Sequence, residues 1–259
     1  MRNTHFAQIE SPVPFIETET LQDLRSAIAS AATPVLLIGP PGSGKSTLLR
    51  IVAREWEQND GQVSVINVSG ADGISGVLTA VMKLLSNQGL GSERVIESSS
   101  DSALKEALAS DSNLDKSLLI LDELDHPSFS HERTLMRILR RLADRQARVV
   151  IATRPHAADT LFRYEQDVLR GASRIIVKPF STYEVKQFLQ RGGKNAPYIE
   201  RISALARGNP RQLNVLGLLA NEMLQGLRTA KQDDDDLKRL AGDELSTELL
   251  LSTVLQREV

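Results

Sequence analysis

The feature that most constrains this chain is the run GPPGSGKS at residues 39–46. It ends an apolar segment, PVLLIG, and a segment with apolar residues at helical spacing follows it. In a glycine-rich turn between a buried strand and a helix, the backbone amides point into the space that the turn encloses. The positive end of the helix dipole points to the same space. The spacing therefore predicts a loop that encloses a chain of phosphate groups, since glycine permits the backbone conformations and close approach that this requires.

The polar side chains of this loop match the groups that a nucleoside triphosphate offers. Lys45 is predicted to reach the β and γ phosphates, Ser46 to offer its hydroxyl to Mg²⁺, and Thr47 to serve the α phosphate side. The residues predicted to bind the nucleotide are Gly39, Pro40, Pro41, Gly42, Ser43, Gly44, Lys45, Ser46 and Thr47.

A second motif, LLILDE at residues 118–123, carries two carboxylates at the end of an apolar strand. Ligands of open α/β sheets bind at the carboxyl ends of the strands. Asp122 is therefore predicted to hold the metal, directly or through water, and Glu123 to orient or activate the attacking water. Asp125 extends the acidic patch in a secondary role, and His126 is predicted to be an exposed loop histidine rather than a catalytic base.

The segment VVIAT ends in Thr153, at the tip of a further predicted strand. If this strand lies beside the phosphate loop, the Thr153 hydroxyl is placed to hydrogen-bond the attacking water or the γ phosphate. The next residue, Arg154, either stabilises negative charge there or solvates the end of the strand, and the sequence leaves both possibilities open.

Apolar segments alternate with segments of helical periodicity in the first 180 residues. Strands are predicted at 34–39, 62–69, 117–123, 147–154 and 173–180, and only helices from residue 181 onward. This alternation predicts an α/β fold, a three-layer αβα core with a parallel sheet, followed by a small all-helical lid subdomain. The predicted divisions are a lead-in at 1–17, the core at 18–180, and the lid with a C-terminal helix at 181–259.

Composition excludes several other classes of site. The chain has no cysteine, which excludes disulfides, cysteine-ligated metal centres and a thiol nucleophile. No apolar run approaches the roughly 18–20 residues of a membrane helix, and the first residues lack a signal-peptide core, so a cytoplasmic location is expected. The net charge of −2 argues against wholesale polyanion binding, and with 4% aromatic residues we do not expect base-stacking platforms.

Together these motifs resemble those of AAA+ ATPases of the P-loop NTPase superfamily. GPPGSGKS resembles Walker A, LLILDE resembles Walker B, and Thr153 matches sensor 1. The resemblance implies Mg²⁺-dependent hydrolysis of ATP, with Lys45, Glu123 and Thr153 among the catalytic residues. GNPRQLNVL at 208–216 resembles sensor 2, which implies that Arg211 acts on the nucleotide from the lid.

The segment LRGASRIIVKPFSTYEV at 169–185 resembles the clamp-loader and origin-recognition pattern, in which an arginine acts on a neighbouring subunit's nucleotide. This resemblance makes Arg174 the candidate trans-acting arginine, with Arg170 second, and implies an ATP-dependent homo-oligomer. A guanidinium supplied across an interface stabilises charge on the transferred phosphoryl group.

Two finer resemblances compete. FIETETLQDLRSAI at 15–28 resembles the lead-in of ATPases that regulate transposition, which implies duplex DNA and a recombinase or transposase as partners. IATRP and GNP resemble motifs of STAND-type signalling ATPases, which implies a switch that gates an effector protein. A third possibility is a structural subunit that binds ATP and scarcely hydrolyses it.

The stretch from Glu132 to Arg174 is locally basic. Four arginines at spacings of three and four share one helix face: Arg133, Arg137, Arg140 and Arg141. A solvated face, a subunit interface and contact with the DNA backbone remain open for this stripe.

Overall fold

The computed structural model describes residues 16–30, 34–68, 77, 81, 114–124, 129–164, 169, 171–191 and 199–229. Several predictions lie outside these residues. They concern the lead-in before residue 16, Asp125, His126, Arg170 and the C-terminal helix, and the same holds for the side chains of Arg133 and Arg137.

Strands and helices alternate through the first part of the described chain. The strands are β1 (Val35–Ile38), β2 (Gln62–Asn67), β3 (Ser117–Asp122), β4 (Arg148–Thr153) and β5 (Ser173–Ile176). The helices between them are α1 (Glu19–Ser30), α2 (Lys45–Gln58), α3 (Phe129–Asp144) and α4 (Pro155–Tyr164). Three further helices follow, α5 (Thr182–Arg191), α6 (Ile199–Ala206) and α7 (Pro210–Thr229). None of the described helices is long and apolar enough to cross a membrane.

The five strands form one parallel sheet in the order β2–β3–β4–β1–β5. Strand β4 therefore lies between β1, which leads into the phosphate loop, and β3, which ends in the acidic pair. The register places Ile38 beside Thr153 and Asn67 beside Asp122. The predicted α/β fold with a parallel sheet is confirmed, and the last residues of four strands meet at one edge.

Helices cover both faces of this sheet, which explains why β1 and the interior of β3, residues 118–121, are apolar without interruption. Successive residues of a strand point to opposite faces, so Leu36 packs in one cluster and Leu37 in the other. The first cluster contains α3 residues Leu135, Leu139 and Leu142. The second contains α1 and α2 residues Leu21, Leu24, Leu49 and Val52. All residues of β1 and β3 are buried as a result.

Strand β5 is shorter than the sequence predicted. The predicted strand runs to residue 180, whereas β5 ends at Ile176 and only the amide of Val177 still donates to Ile38, at 2.8 Å. Proline has no amide hydrogen to donate to a neighbouring strand, so Pro179 cannot extend the ladder. The chain leaves the sheet at this point.

Contacts divide the chain into two compact units. Of the described residues, the first unit holds Glu17–Lys178 and the second holds Ile16 and the residues from Pro179 onward. The second unit is helical where it is described. Its core is formed by Ile16, Val185, Phe188, Leu189, Ile199, Ile202, Ala206, Leu213 and Leu216.

Two turns at helix starts are held together in the second unit. The amide of Phe180 donates to the carbonyl of Gly208 at 2.8 Å, and a Cβ on Gly208 would lie 2.4 Å from the Phe180 carbonyl oxygen. Gly208 has a φ of +73°, so glycine is required there for both reasons. Asn209 caps the start of α7, since its Oδ1 accepts a hydrogen bond from the amide of Arg211 at 3.0 Å.

Candidate functional site

The phosphate loop connects β1 to the start of α2 at the carboxyl edge of the sheet. Gly42 and Gly44 adopt the left-handed conformation, with φ of +72° and +95°. Helix α2 begins directly after Gly44, without an acidic residue in its first turn and without a side-chain cap at that position. The positive end of the helix dipole therefore lies at this loop.

Lys45 folds back over the loop. Its ammonium donates to the carbonyl of Gly39 at 2.7 Å and to the carbonyl of Pro40 at 3.1 Å. These contacts hold the positive charge inside the curve of the loop. A phosphate group that binds there would compete with two neutral carbonyls for this ammonium, and hydrogen bonds between charged partners are the stronger ones.

Asp122 lies next to the phosphate loop. The Ser46 hydroxyl donates to its carboxylate, and the Glu123 amide donates to its Oδ1 at 3.0 Å. Asp122 is only 6% exposed, and this burial raises the pKa of its carboxyl group, although the Ser46 hydrogen bond and the Lys45 charge oppose the rise. The structure thus brings the predicted metal-binding pair, Ser46 and Asp122, into direct contact.

Glu123 follows β3 in an unusual backbone conformation, with a φ of +58°. Its Oε2 accepts a hydrogen bond of 2.9 Å from the side-chain amide of Asn67, the last residue of β2. The carboxylate is therefore held at the carboxyl edge of the sheet, next to Asp122 in the chain. A backbone conformation that non-glycine residues seldom adopt is common where a side chain must be aimed at a site.

Thr153 lies at the predicted place but its hydroxyl points into the protein. The residue is 0% exposed, and its Oγ1 donates to the carbonyl of Leu124 at 2.8 Å. Its own carbonyl accepts from the amide of Gly39 at 3.2 Å. Thr153 therefore connects the start of the phosphate loop to the residue that follows the acidic pair.

The sequence matches a family model described as an AAA domain over residues 25–161, which is more than half of the chain. This chain belongs to the AAA domain family. The matched region contains the phosphate loop, the acidic pair and Thr153. The resemblance to AAA+ ATPases that the motifs indicated is therefore confirmed. A comparison with curated proteins gives no significant match.

Solved structures share the AAA domain fold at low sequence identity. DnaA from Aquifex aeolicus, bound to AMPPCP, is 16% identical with a TM-score of 0.55, over 87% of this chain and 71% of that one. Cdc6p from Pyrobaculum aerophilum is 17% identical with a TM-score of 0.59, over 83% and 65%. The Orc1 protein of Aeropyrum pernix, in complex with DNA, is 17% identical with a TM-score of 0.56, over 84% and 63%. This AAA domain chain thus spans about two thirds of the length of such proteins.

The arginines singled out by the sequence lie on other segments than the phosphate loop and the acidic pair. Arg174 is exposed on β5, at one end of the described sheet, in register with Leu36. Arg211 is exposed in the first turn of α7, in the second unit. Arg154 is half-buried and precedes α4. Their roles in this AAA domain protein stay predictions.

Sequence reasoning missed Asn67. Asn67 lies inside the strand predicted at 62–69, and nothing in the sequence shows that β2 ends at this residue. Only the pairing of β2 with β3, in which Asn67 lies beside Asp122, identifies it.

Proposed function

We propose that this chain binds ATP with Mg²⁺ at the loop between β1 and α2, hydrolyses it, and uses the bound nucleotide as a switch in a DNA transaction. The observation that carries the enzymatic part is the contact between Ser46 and Asp122 beside Lys45. It joins a hydroxyl, a carboxylate and an ammonium at the amino end of a helix, which is the set of groups that a metal-bound triphosphate requires.

The residues present fit both ligands. A left-handed glycine on each side of Ser43 shapes the loop for a phosphate chain, and the Ser46 hydroxyl and Asp122 carboxylate are hard oxygen donors of the kind that Mg²⁺ prefers. Such sites bind Mg²⁺ through one or two protein oxygens, together with water and phosphate oxygens. When bound, the metal would neutralise charge on the phosphate oxygens.

The chain's own residues supply the remaining chemistry. Lys45 exchanges its two carbonyl partners for phosphate oxygens and so binds the tail of the nucleotide. Glu123 orients a water molecule and accepts its proton. Asn67 donates to the Glu123 carboxylate, which fixes its direction and stabilises its charged form.

The DNA part of the proposal is supported by the relatives in fold. The Aeropyrum pernix structure is described as a complex with DNA, and a DnaA structure as bound to AMPPCP and single-stranded DNA. In this chain Arg140 and Arg141 are exposed on α3, within the locally basic stretch. Exposed arginines on one helix suit the phosphate backbone of a duplex.

The decisive experiment measures ATP hydrolysis with and without duplex DNA over a range of salt concentrations. We expect DNA to stimulate hydrolysis and the stimulation to fall as salt rises, because phosphate contacts release counterions. Light scattering with ATP or ADP, with and without DNA, then gives the assembly state. Regulation of transposition predicts ATP-dependent assembly on DNA.

Two other outcomes would replace the proposed DNA role. ATP-driven assembly that ignores DNA would favour a signalling switch that gates an effector protein. Normal ATP binding without turnover under any condition would favour a structural subunit. In the proposed assembly Arg174 acts on a neighbour's nucleotide, so Arg174→Ala should lower turnover without weakening ATP binding to the single chain.

A further inference from the structure

One hydroxyl of the phosphate loop has no role in the mechanism above. Ser43 is 8% exposed, and its Oγ has no hydrogen-bond partner among the residues that the structure describes. The hydroxyl is packed against Gly39, since a Cβ added to Gly39 would lie only 2.7 Å from Ser43 Oγ. A buried hydroxyl without a hydrogen-bond partner destabilises the fold, so its presence at this position suggests a function.

The residues around Ser43 indicate what this function is. The Ser43 amide donates to the carbonyl of Pro40 at 3.3 Å, while its side chain adjoins Gly39. Gly39 and Pro40 are also the two residues whose carbonyls accept from the Lys45 ammonium. The Lys45 ammonium therefore satisfies the carbonyls at the start of the loop, and no described residue forms a hydrogen bond with the hydroxyl beside them.

We propose that Ser43 is a positioning residue, whose hydroxyl donates to the carbonyl of Gly39 when Lys45 turns to the triphosphate. This inference rests on the proposed binding of ATP at this loop. As the ammonium leaves, the loop carbonyls lose their donor at the moment when a phosphate chain is placed against the loop. The Ser43 hydroxyl replaces that donor, so the loop keeps its curvature in the bound state.

The exchange gives Ser43 an unusual thermodynamic signature. Because no described residue forms a hydrogen bond with the hydroxyl, its removal should leave the thermal stability of the nucleotide-free protein unchanged or raise it. In the nucleotide-bound protein the same removal deletes one hydrogen bond. A residue with a merely structural role would instead lower the stability of both states.

The test compares wild type with Ser43→Ala in two measurements. The first is the melting temperature of the nucleotide-free protein, and the second is the dissociation constant for ATP with Mg²⁺ by titration calorimetry. We expect an equal or higher melting temperature and a dissociation constant weakened by roughly two- to tenfold, the effect of one hydrogen bond. Ser30→Ala, which removes an exposed hydroxyl from the end of α1, is the matched control and should change neither value.

Other results would contradict either the role of Ser43 or the proposed binding of ATP. Unchanged ATP affinity in Ser43→Ala, or a lower melting temperature of its nucleotide-free form, would overturn the inference while wild-type binding left the proposed function intact. Failure of the wild-type protein to bind ATP would overturn both.

Discussion

The side-chain amide of Asn67 donates a 2.9 Å hydrogen bond to the carboxylate of Glu123. The two residues lie 56 positions apart in the chain, and they meet because β2 and β3 pair in parallel with Asn67 beside Asp122. A neutral donor stabilises the ionised carboxylate and fixes its direction. In the proposed reaction Asn67 therefore helps to direct the group that accepts the proton.

Asn67→Asp tests this control because it keeps the shape of the side chain and replaces the donor with a like charge. Two adjacent carboxylates resist joint ionisation, so the pKa of Glu123 should rise. The acid limb of the pH profile of turnover is then expected to move to higher pH, while ATP affinity at neutral pH stays close to wild type. An unshifted profile would separate Asn67 from the function of Glu123.

Glu123→Gln should separate binding from hydrolysis. Glutamine can still accept the Asn67 hydrogen bond through its carbonyl oxygen, but it cannot take a proton from water. We expect turnover to fall by roughly 10²- to 10⁴-fold, the usual contribution of a general base, with ATP affinity retained. Glu57→Gln, an exposed change on α2, is the control, and equal turnover in both variants would remove Glu123 from the reaction.

Asp122→Asn should stabilise the nucleotide-free protein near neutral pH. Burial raises the pKa of the Asp122 carboxyl group above its unfolded value, so the contribution of this group to stability is fully present at low pH and is lost as pH rises through the folded pKa. Asparagine removes the buried charge while its amide oxygen can still accept from the Glu123 amide. The melting temperature at pH 7 is expected to rise, and each 1 kcal/mol gained corresponds to roughly 2–4 °C at this chain length.

The same variant should lose the effect of the metal. Because an amide is a weaker ligand for Mg²⁺ than a carboxylate, Mg²⁺ should no longer add to the stabilisation that ATP gives. A melting temperature below that of wild type at pH 7, or a full Mg²⁺ effect, would contradict this account of Asp122.

Thr153→Val distinguishes two roles for the sensor position. The substitution keeps the shape of the side chain but leaves the buried carbonyl of Leu124 without its donor, at an expected cost of about 1–3 kcal/mol of unfolding free energy. The unfolding free energy of the first unit can be measured by denaturant unfolding, with the fluorescence of Trp56 as the probe, since Trp56 is the only tryptophan of the chain. Unchanged stability together with weaker ATP binding would instead assign the hydroxyl to the phosphate.

The parts of the site that are local in sequence were predictable from the sequence. The phosphate loop, the acidic pair and the strands that carry them follow from glycine spacing and uninterrupted apolar runs, because these features depend on neighbouring residues. Asn67 was not predictable, since its role depends on which strands pair and in which register.

The direction of a buried side chain was also beyond the sequence. Thr153 ends its strand as predicted, but its hydroxyl turns inward because the carbonyl of Leu124 is within reach and Thr153 is fully buried. The early end of β5 also depends on a contact between residues that are distant in the sequence. The sequence pattern predicts a strand that continues to Phe180. The neighbouring strand β1 ends at Ile38, so β5 has no partner beyond this point.

The central claim, that the loop at residues 39–47 binds the triphosphate of ATP through Lys45, is tested most directly by titration calorimetry of ATP with Mg²⁺. The measurement compares wild type, Lys45→Ala and a control, Lys116→Ala, which changes an exposed lysine just before β3, at the opposite edge of the sheet. We predict wild-type affinity for Lys116→Ala and a loss of about 100-fold for Lys45→Ala, the order of magnitude of a lost charge-assisted contact. Equal ATP affinity in Lys45→Ala and wild type would contradict the account.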